Sequence, residues 1–284
     1  MEDNVFLKIE GMRDSFTPVE MRIAEFILAN RESIPTMSIK DIAQKSRTSD
    51  ASVLRFCRTL GFSGYRGFIV SISIAKATAQ EKDSQAYTDI RPGDTLEMIT
   101  ESVFYNTGKA LEDTKKILSA AQLKKAVDLL CDAEQIRFFG TGASGLVCLD
   151  AHQKFMRIRK VSYAHTESHD QITAAALMTR KDVAVLMTYS GKTKDIVEVN
   201  NILKEKEVPT ILITRYQKSK LVESASAVLN ISSPEVTMRS GAMGSRIAML
   251  SVVDILFSAV ASVRYEEVKK YLMDTHKIIV EHKR

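Results

Sequence analysis

Two short stretches carry the residue types that hold anions, and each sits where a strand hands over to a helix. The first is Gly140-Thr141-Gly142-Ala143-Ser144-Gly145, directly after the β-rich run Ile136-Arg137-Phe138-Phe139. The second is Thr188-Tyr189-Ser190-Gly191-Lys192-Thr193, after Val183-Ala184-Val185-Leu186-Met187. Glycine lets backbone N–H groups approach a ligand closely, and serine and threonine add hydroxyls. A helix N-terminus presents unpaired N–H groups with a partial positive charge. Gly142, Ala143 and Ser144 in one loop, with Ser190, Gly191, Lys192 and Thr193 in the other, are candidates for holding a phosphate carried by a small polar molecule.

Two other phosphate chemistries are invited by the same glycines, and the spacing disfavours both. The first loop satisfies G-x-G-x-x-G, the dinucleotide fingerprint, which also wants an acidic residue about 20 residues on, at the end of the next strand. That strand ends Tyr163-Ala164-His165-Thr166, and Glu167 comes late, so the requirement is poorly met. The second loop ends Gly-Lys-Thr, but a P-loop would need glycine at position 186, which is Leu186. No cofactor is implied. Cys57, Cys131 and Cys148 form no CxxC, and none has a histidine at metal-ligand spacing. Buried reduced thiols are expected, and no metal site.

A third stretch carries cations. Between residues 37 and 76 stand Lys40, Lys45, Arg47, Arg55, Arg58, Arg66 and Lys76, against only Asp41 and Asp50. The whole chain has a formal net charge of +5, so this segment could supply most of the excess, as contacts to a phosphate backbone require. Ser38 is a candidate N-cap for a short helix over 39–45, Ser46-Arg47-Thr48 a turn, and Ser49 the N-cap of a second helix. Val53, Phe56, Cys57 and Leu60 then form one buried stripe, and Gly61 ends the helix. The other face presents Ser52, Arg55 and Thr59, with Arg58 beside them. Two short helices around a three-residue turn, the second with a basic outer face, make a helix-turn-helix. Its second helix fits a major groove about 12 Å wide. The turn lacks the glycine common in such motifs. Lys45, Ser49, Ser52, Arg55, Arg58 and Thr59 are the candidate DNA contacts.

These loops need elements to hold them. The chain has 284 residues, 45% hydrophobic and 26% charged, an ordinary globular composition long enough for two domains. Residues 1–78 read as all helix, with Thr17-Pro18-Val19-Glu20 as a capping box. Residues 79–94 read as a polar linker. Residues 95–284 alternate helical stretches with five short strands, two of them continuous apolar runs. That pattern predicts a five-stranded parallel, doubly wound sheet with helices on both faces. The start of the chain is acidic and no apolar segment follows, so no signal peptide is read and a cytoplasmic location is expected. The most apolar run, 247–263, carries Asp254 and is read as a core or oligomer-interface helix rather than a membrane span.

The run Ser49-Asp50-Ala51-Ser52-Val53-Leu54-Arg55-Phe56-Cys57-Arg58-Thr59-Leu60-Gly61-Phe62, behind Ser38-Ile39-Lys40-Asp41-Ile42-Ala43, resembles the N-terminal domain of RpiR-family bacterial regulators. Thr48, where valine is common, departs from it. The Ser190–Thr193 and Gly142–Ser144 loops resemble those of the SIS (sugar isomerase) domain, across about 118–263. Pro234-Glu235, Arg239-Ser240, Ser245-Arg246-Ile247 and Asp254 are similar to the C-terminal part of sugar-phosphate-sensing members.

The resemblance implies a flavodoxin-like SIS fold and a transcription regulator whose affinity for operator DNA is set by a sugar phosphate. Ser144, Ser190 and Thr193 would hold the phosphate and Glu235 the sugar hydroxyls; His169, in the loop after the second strand, could also reach the site. A homodimer or homotetramer is expected, and no membrane. Some SIS domains are isomerases or cleave ether bonds. Glu235, Glu167 and His169 are the available acid–base types, but nothing in the spacing shows that they converge. No catalytic residue is assigned.

Overall fold

The computed structural model describes residues 5–78, 93–232 and 242–282. They fall into two compact units, one helical and one α/β.

The helical unit contains α1 (Val5–Gly11), α2 (Pro18–Ala29), α3 (Ile39–Lys45), α4 (Asp50–Thr59) and α5 (Tyr65–Thr78). Its helices start where short polar side chains can satisfy the first free N–H groups. Thr17 and Glu20 form the expected capping box at α2, and Ser38 and Asp41 form a second one at α3. The Ser49 hydroxyl caps α4 by accepting from the Ser52 N–H at 3.2 Å. The predicted stripe of Val53, Phe56, Cys57 and Leu60 is fully buried. Phe56 lies 5.2 Å from Phe16 and 6.3 Å from Phe68 between ring centroids. Burial pushes the Cys57 thiol up to about 12, so it behaves as a small apolar side chain.

The second unit begins with α6 (Leu96–Ile117) and α7 (Ala120–Asp132). It then alternates β1 (Ile136–Phe139), α8 (Ala143–Arg157), β2 (Ser162–His165), α9 (Ser168–Leu177), β3 (Val183–Met187), α10 (Lys194–Glu205), β4 (Thr210–Arg215), α11 (Lys220–Ser224) and β5 (Ala227–Ile231). It ends in α12 (Met243–Val263) and α13 (Tyr265–His282). The five strands form one all-parallel sheet in the order β2-β1-β3-β4-β5. This is the flavodoxin-like order, with its switch point between β1 and β3.

Alternation along each strand divides two cores. Phe138, Val185, Ile211 and Ile213 face one side, packed with residues of α7, α8 and α12. Phe139, Ala184, Leu186 and Leu212 face the other, packed with residues of α9, α10 and α11. Both faces being covered is why every residue of β3 is buried.

Among the described residues, α12 is the helix long and apolar enough to cross a bilayer. It is a core helix instead. It buries Ala248, Met249, Val252, Val253, Leu256 and Val260 and packs on α6, α7 and α8. Asp254 pairs with Lys154 of α8 at 2.5 Å, and Lys154 also pairs with Asp150 at 2.7 Å. One face of α12 is thus packed inside its own unit, while Ile255 and Val263 remain exposed.

Candidate functional site

Two sites take shape, one in each unit. In the helical unit, α3 and α4 make the expected pair, and the turn between them solves its missing-glycine problem by strain. Arg47 has φ 54°, a left-handed conformation that an L side chain adopts at a cost. The geometry lets the Thr48 N–H donate to the Ala43 carbonyl at 2.8 Å. The Ser46 hydroxyl adds a bond to the Ile42 carbonyl at 2.6 Å and pairs with the Thr48 hydroxyl at 2.9 Å. The turn therefore holds a guanidinium at its exposed tip. Gly61, at φ 88°, closes α4 without that penalty.

Lys45, Ser49, Arg55 and Arg58 are exposed, as the recognition-helix reading requires. Two expectations need correction. Ser52 is buried, its hydroxyl paired with that of Ser49 at 2.9 Å and accepting from Arg55 at 3.3 Å. It orients neighbours rather than facing outward. Thr59 is half-buried, and its hydroxyl donates to a Glu20 carboxylate oxygen at 2.7 Å, tying α4 back to α2. Position counting put both on the polar face. Their short hydroxyls found partners at the helix ends instead. Arg47, not singled out from sequence as a contact, joins the exposed basic set.

In the α/β unit, the sheet register sets Phe139 beside Leu186, which brings the loops after β1 and β3 side by side at the switch point. A cavity of about 220 Å³ opens there. Thr141, Gly142, Ala143 and Ser144 line it from the first loop. Met187, Thr188, Tyr189, Ser190 and Thr193 line it from the second. A third wall comes from the start of α12, through Ala242, Ser245, Arg246 and Met249.

The backbone explains the loop sequences. Gly142 has φ 57° and ψ −128°, a combination open essentially to glycine alone. At Gly140 a Cβ would meet Cys148 Sγ at 2.8 Å and the Ser144 carbonyl at 3.0 Å, so only glycine permits the strand–helix approach. In the second loop the Thr188 hydroxyl accepts from the Gly191 N–H at 3.2 Å and lies 3.2 Å from the Thr193 hydroxyl. The Ser190 hydroxyl accepts from the Lys192 N–H at 3.3 Å.

Capping separates α8, α10 and α12 from the other described α-helices whose N-caps are defined. Side chains of Thr17, Ser38, Ser49, Thr95, Ser119, Glu167 and Ser219 cap α2, α3, α4, α6, α7, α9 and α11. The N-caps of α8, α10 and α12 are Gly142, Thr193 and Ala242, and none makes a side-chain cap hydrogen bond. These are the three helices that meet the cavity, α8 and α12 with first-turn residues and α10 with its N-cap Thr193. Three uncapped N-termini around one small polar cavity offer the kind of donors that attract anions.

The sequence-predicted ligand residues divide. Gly142, Ala143, Ser144, Ser190 and Thr193 meet in the cavity. Gly191 shapes its loop, with φ 61°, without lining the wall. Lys192 is exposed and does not line the cavity. His169 does not lie in a loop. It is the second residue of α9, exposed, its N–H bonded to the Glu167 carboxylate that caps that helix. This also removes Glu167 as a ribose ligand, since its carboxylate already caps a helix. Glu235, with Pro234, Arg239 and Ser240, lies outside the described residues. Thr188, Tyr189 and Met249 were not read from the sequence. Thr188 and Tyr189 come from the turn that opens the second loop and Met249 from inside α12, and they become visible only once the loops and α12 are placed together.

Helix-turn-helix and SIS-type sheet together define a DNA-binding regulator with an attached α/β domain. Residues 3–79 match the helix-turn-helix domain of the rpiR family, and residues 129–259 match the SIS domain. An HTH-type transcriptional regulator of Caldanaerobacter subterraneus is 38% identical over 97% of both chains. HexR, an HTH-type transcriptional regulator of Pseudomonas aeruginosa, is 33% identical across 90% of this chain and 89% of its own. The chain belongs to the rpiR family of helix-turn-helix transcriptional regulators. Vibrio vulnificus NanR, solved in complex with ManNAc-6P, shares the fold across 98% of both chains, with a TM-score of 0.61 and 23% identity.

Proposed function

We propose that this regulator binds duplex operator DNA through α4 and the preceding turn, and that a sugar phosphate bound between the loops after β1 and β3 controls that binding. The observation that carries the ligand reading is the set of three uncapped helix N-termini on one cavity. Ser144, Ser190 and Thr193 supply hydroxyls, and the N–H groups of Gly142, Ala143 and their neighbours supply backbone donors. The described volume suits a compact ligand and not a dinucleotide. The NanR complex supports a phosphorylated sugar as the occupant of this fold.

On the DNA side, Ser49 caps the exposed start of α4 and Arg55 stands exposed midway along it, and we assign the exposed Lys45, Arg47 and Arg58 to phosphates. The protein acts in the cytoplasm as a homodimer or homotetramer, so that ligand shifts the spacing of two recognition helices. It is a sensor and not a catalyst. The described lining holds no carboxylate, imidazole or thiol, and two of the three acid–base types noted in the sequence, Glu167 and His169, lie outside it.

A thermal-shift series against a panel of sugar phosphates tests this. A bound ligand at 100 times its Kd stabilises by about 2.7 kcal/mol. Ser190→Ala with Thr193→Ala abolishes that shift and leaves DNA binding intact but insensitive to ligand. Arg55→Ala does the reverse, weakening DNA binding alone. No shift with any sugar phosphate, turnover at enzymatic rates, or a monomer in light scattering would each overturn the corresponding part.

A further inference from the structure

The helix α6 has two lines of contact, and its own unit uses one. Ala110, Asp113, Thr114 and Ile117 are buried against that unit. A second line runs through Leu96, Thr100, Phe104, Thr107 and Leu111. Helical spacing sets these within about 80° of one another around the axis and along about 22 Å of it. Its apolar members are left to water, with Leu96 82% exposed, Phe104 75% and Leu111 37%. An exposed apolar stripe of this length marks a docking surface.

Gly108 identifies the occupant. Glycine is a poor residue for the middle of a helix, and Gly108 lacks the left-handed backbone that would call for it. A Cβ at Gly108 would meet nothing within 4 Å, so packing inside the unit does not call for it either. Residues four apart share a helix face, so Gly108 is a notch one turn beyond the exposed ring of Phe104. A notch beside a knob is self-complementary. With two copies of α6 antiparallel about a two-fold axis, the ring of each reaches the glycine of the other, and symmetry makes the second contact when the first is made. Charge agrees with that register. Glu97 lies seven residues before Phe104, and Lys115 seven after Gly108. The same alignment therefore sets Glu97 opposite the partner's Lys115, twice over. Both are exposed, and the ion pairs Lys109–Asp113, Lys116–Glu112 and Lys116–Asp113 among the described residues of α6 leave them out.

We infer that α6 is a self-complementary docking face, on which a second copy of this chain packs antiparallel with Phe104 seated on the partner's Gly108. The inference rests on the homo-oligomer reading and gives it a surface. Leu96, Thr100 and Leu111 extend the apolar contact on either side, and Glu97 and Lys115 fix the register and direction.

Sedimentation velocity of the full-length protein at low salt reads the self-association. Gly108→Leu fills the notch and raises the dissociation constant at least roughly 30-fold, the loss expected at an interface hot spot. Its helix signal in circular dichroism is kept, since leucine suits a helix and meets open space within the chain. Glu97→Lys and Lys115→Glu each weaken association by roughly 5-fold, and the two together restore it. Residues about five turns apart on one helix do not touch within a chain, so rescue reports a contact between copies. Should Gly108→Leu lose helix, the charge pair alone decides. Self-association that survives a folded Gly108→Leu, or charge reversals that do not rescue each other, overturns the α6 face and leaves the oligomer standing. A monomeric wild-type protein overturns the oligomer and this face with it.

Discussion

Replacing Arg47 with glycine pits two consequences of the same residue against each other. Arg47 holds the left-handed position of the α3–α4 turn at φ 54°, and its side chain is exposed. An L residue there costs about 1–2 kcal/mol that glycine does not. Glycine in turn loses about 0.4–1 kcal/mol through the greater freedom of its unfolded chain. The Thr48-to-Ala43 backbone bond and both Ser46 hydroxyl bonds are untouched by the change. The net is a stabilisation of about 0.5–1 kcal/mol, which raises the melting temperature of a unit this size by about 3–6 °C. The lost charge acts the other way. Binding to any duplex at low salt weakens, and the slope of log affinity against log salt falls by about one contact's worth. Calorimetry of the full chain reads the first effect, and a fluorescence titration over a salt series reads the second. A lowered melting temperature would refute the strained-turn argument. An unchanged salt slope would refute the placing of Arg47 against phosphate.

Three further outcomes follow from single residues. Gly142→Ala forces a side chain into φ 57°, ψ −128°, costing about 1–3 kcal/mol, and removes the ligand-induced thermal shift while leaving duplex binding intact; an unaltered ligand shift would count against the loop geometry. Burial tends to raise the Glu20 carboxyl, but hydrogen bonds from the Thr17 N–H and from the Thr59 and Thr17 hydroxyls outweigh it and hold the pKa below its ordinary value of 4.5. The folded pKa being the lower one, this stability is complete above the unfolded value and drains as pH falls through the folded one. Acid unfolding of the helical unit should therefore lose part of its pH dependence below about pH 4.5 in Glu20→Gln, and an identical acid limb would contradict it. Thiol reagents at pH 8 should label half-buried Cys131 first, and reach Cys57 and Cys148, whose thiols burial pushes well up, only on unfolding; equal rates at all three would show the helices more open than described.

What was legible in the sequence is what short-range physics dictates. The capping boxes at Thr17–Glu20 and Ser38–Asp41, the buried stripe of α4 and the closing Gly61 each depend on residues within about a turn of one another. The apolar runs of β3 and β4 announced a sheet covered on both faces. Errors fall where a side chain had more than one partner in reach. Helical counting placed Ser52 and Thr59 outward, yet a hydroxyl at the start of α4 bonds its own cap, and one at the end reaches Glu20, 39 residues earlier. His169 was read as a loop residue because the cap that starts α9 is Glu167, a less common capping type than serine or threonine.

The cavity was legible only in part, because its walls are brought together by strand order and not by spacing. Sequence identifies the loops after β1 and β3 separately. That they touch depends on β3 crossing to lie beside β1 with Phe139 opposite Leu186. The third wall, with Ser245, Arg246 and Met249, arrives from more than 50 residues after the second loop. Yet one local signal for the whole site was present from the start. Glycine, threonine and alanine stand at the N-caps of α8, α10 and α12, and among the described α-helices with a defined N-cap these are the ones left without a side-chain bond. A chain that caps its other helices so consistently leaves N–H donors open where something else is to accept from them. Three such omissions meeting in one cavity are harder to attribute to chance than either glycine-rich loop alone. They point to an anion whether or not the sugar attached to it is known.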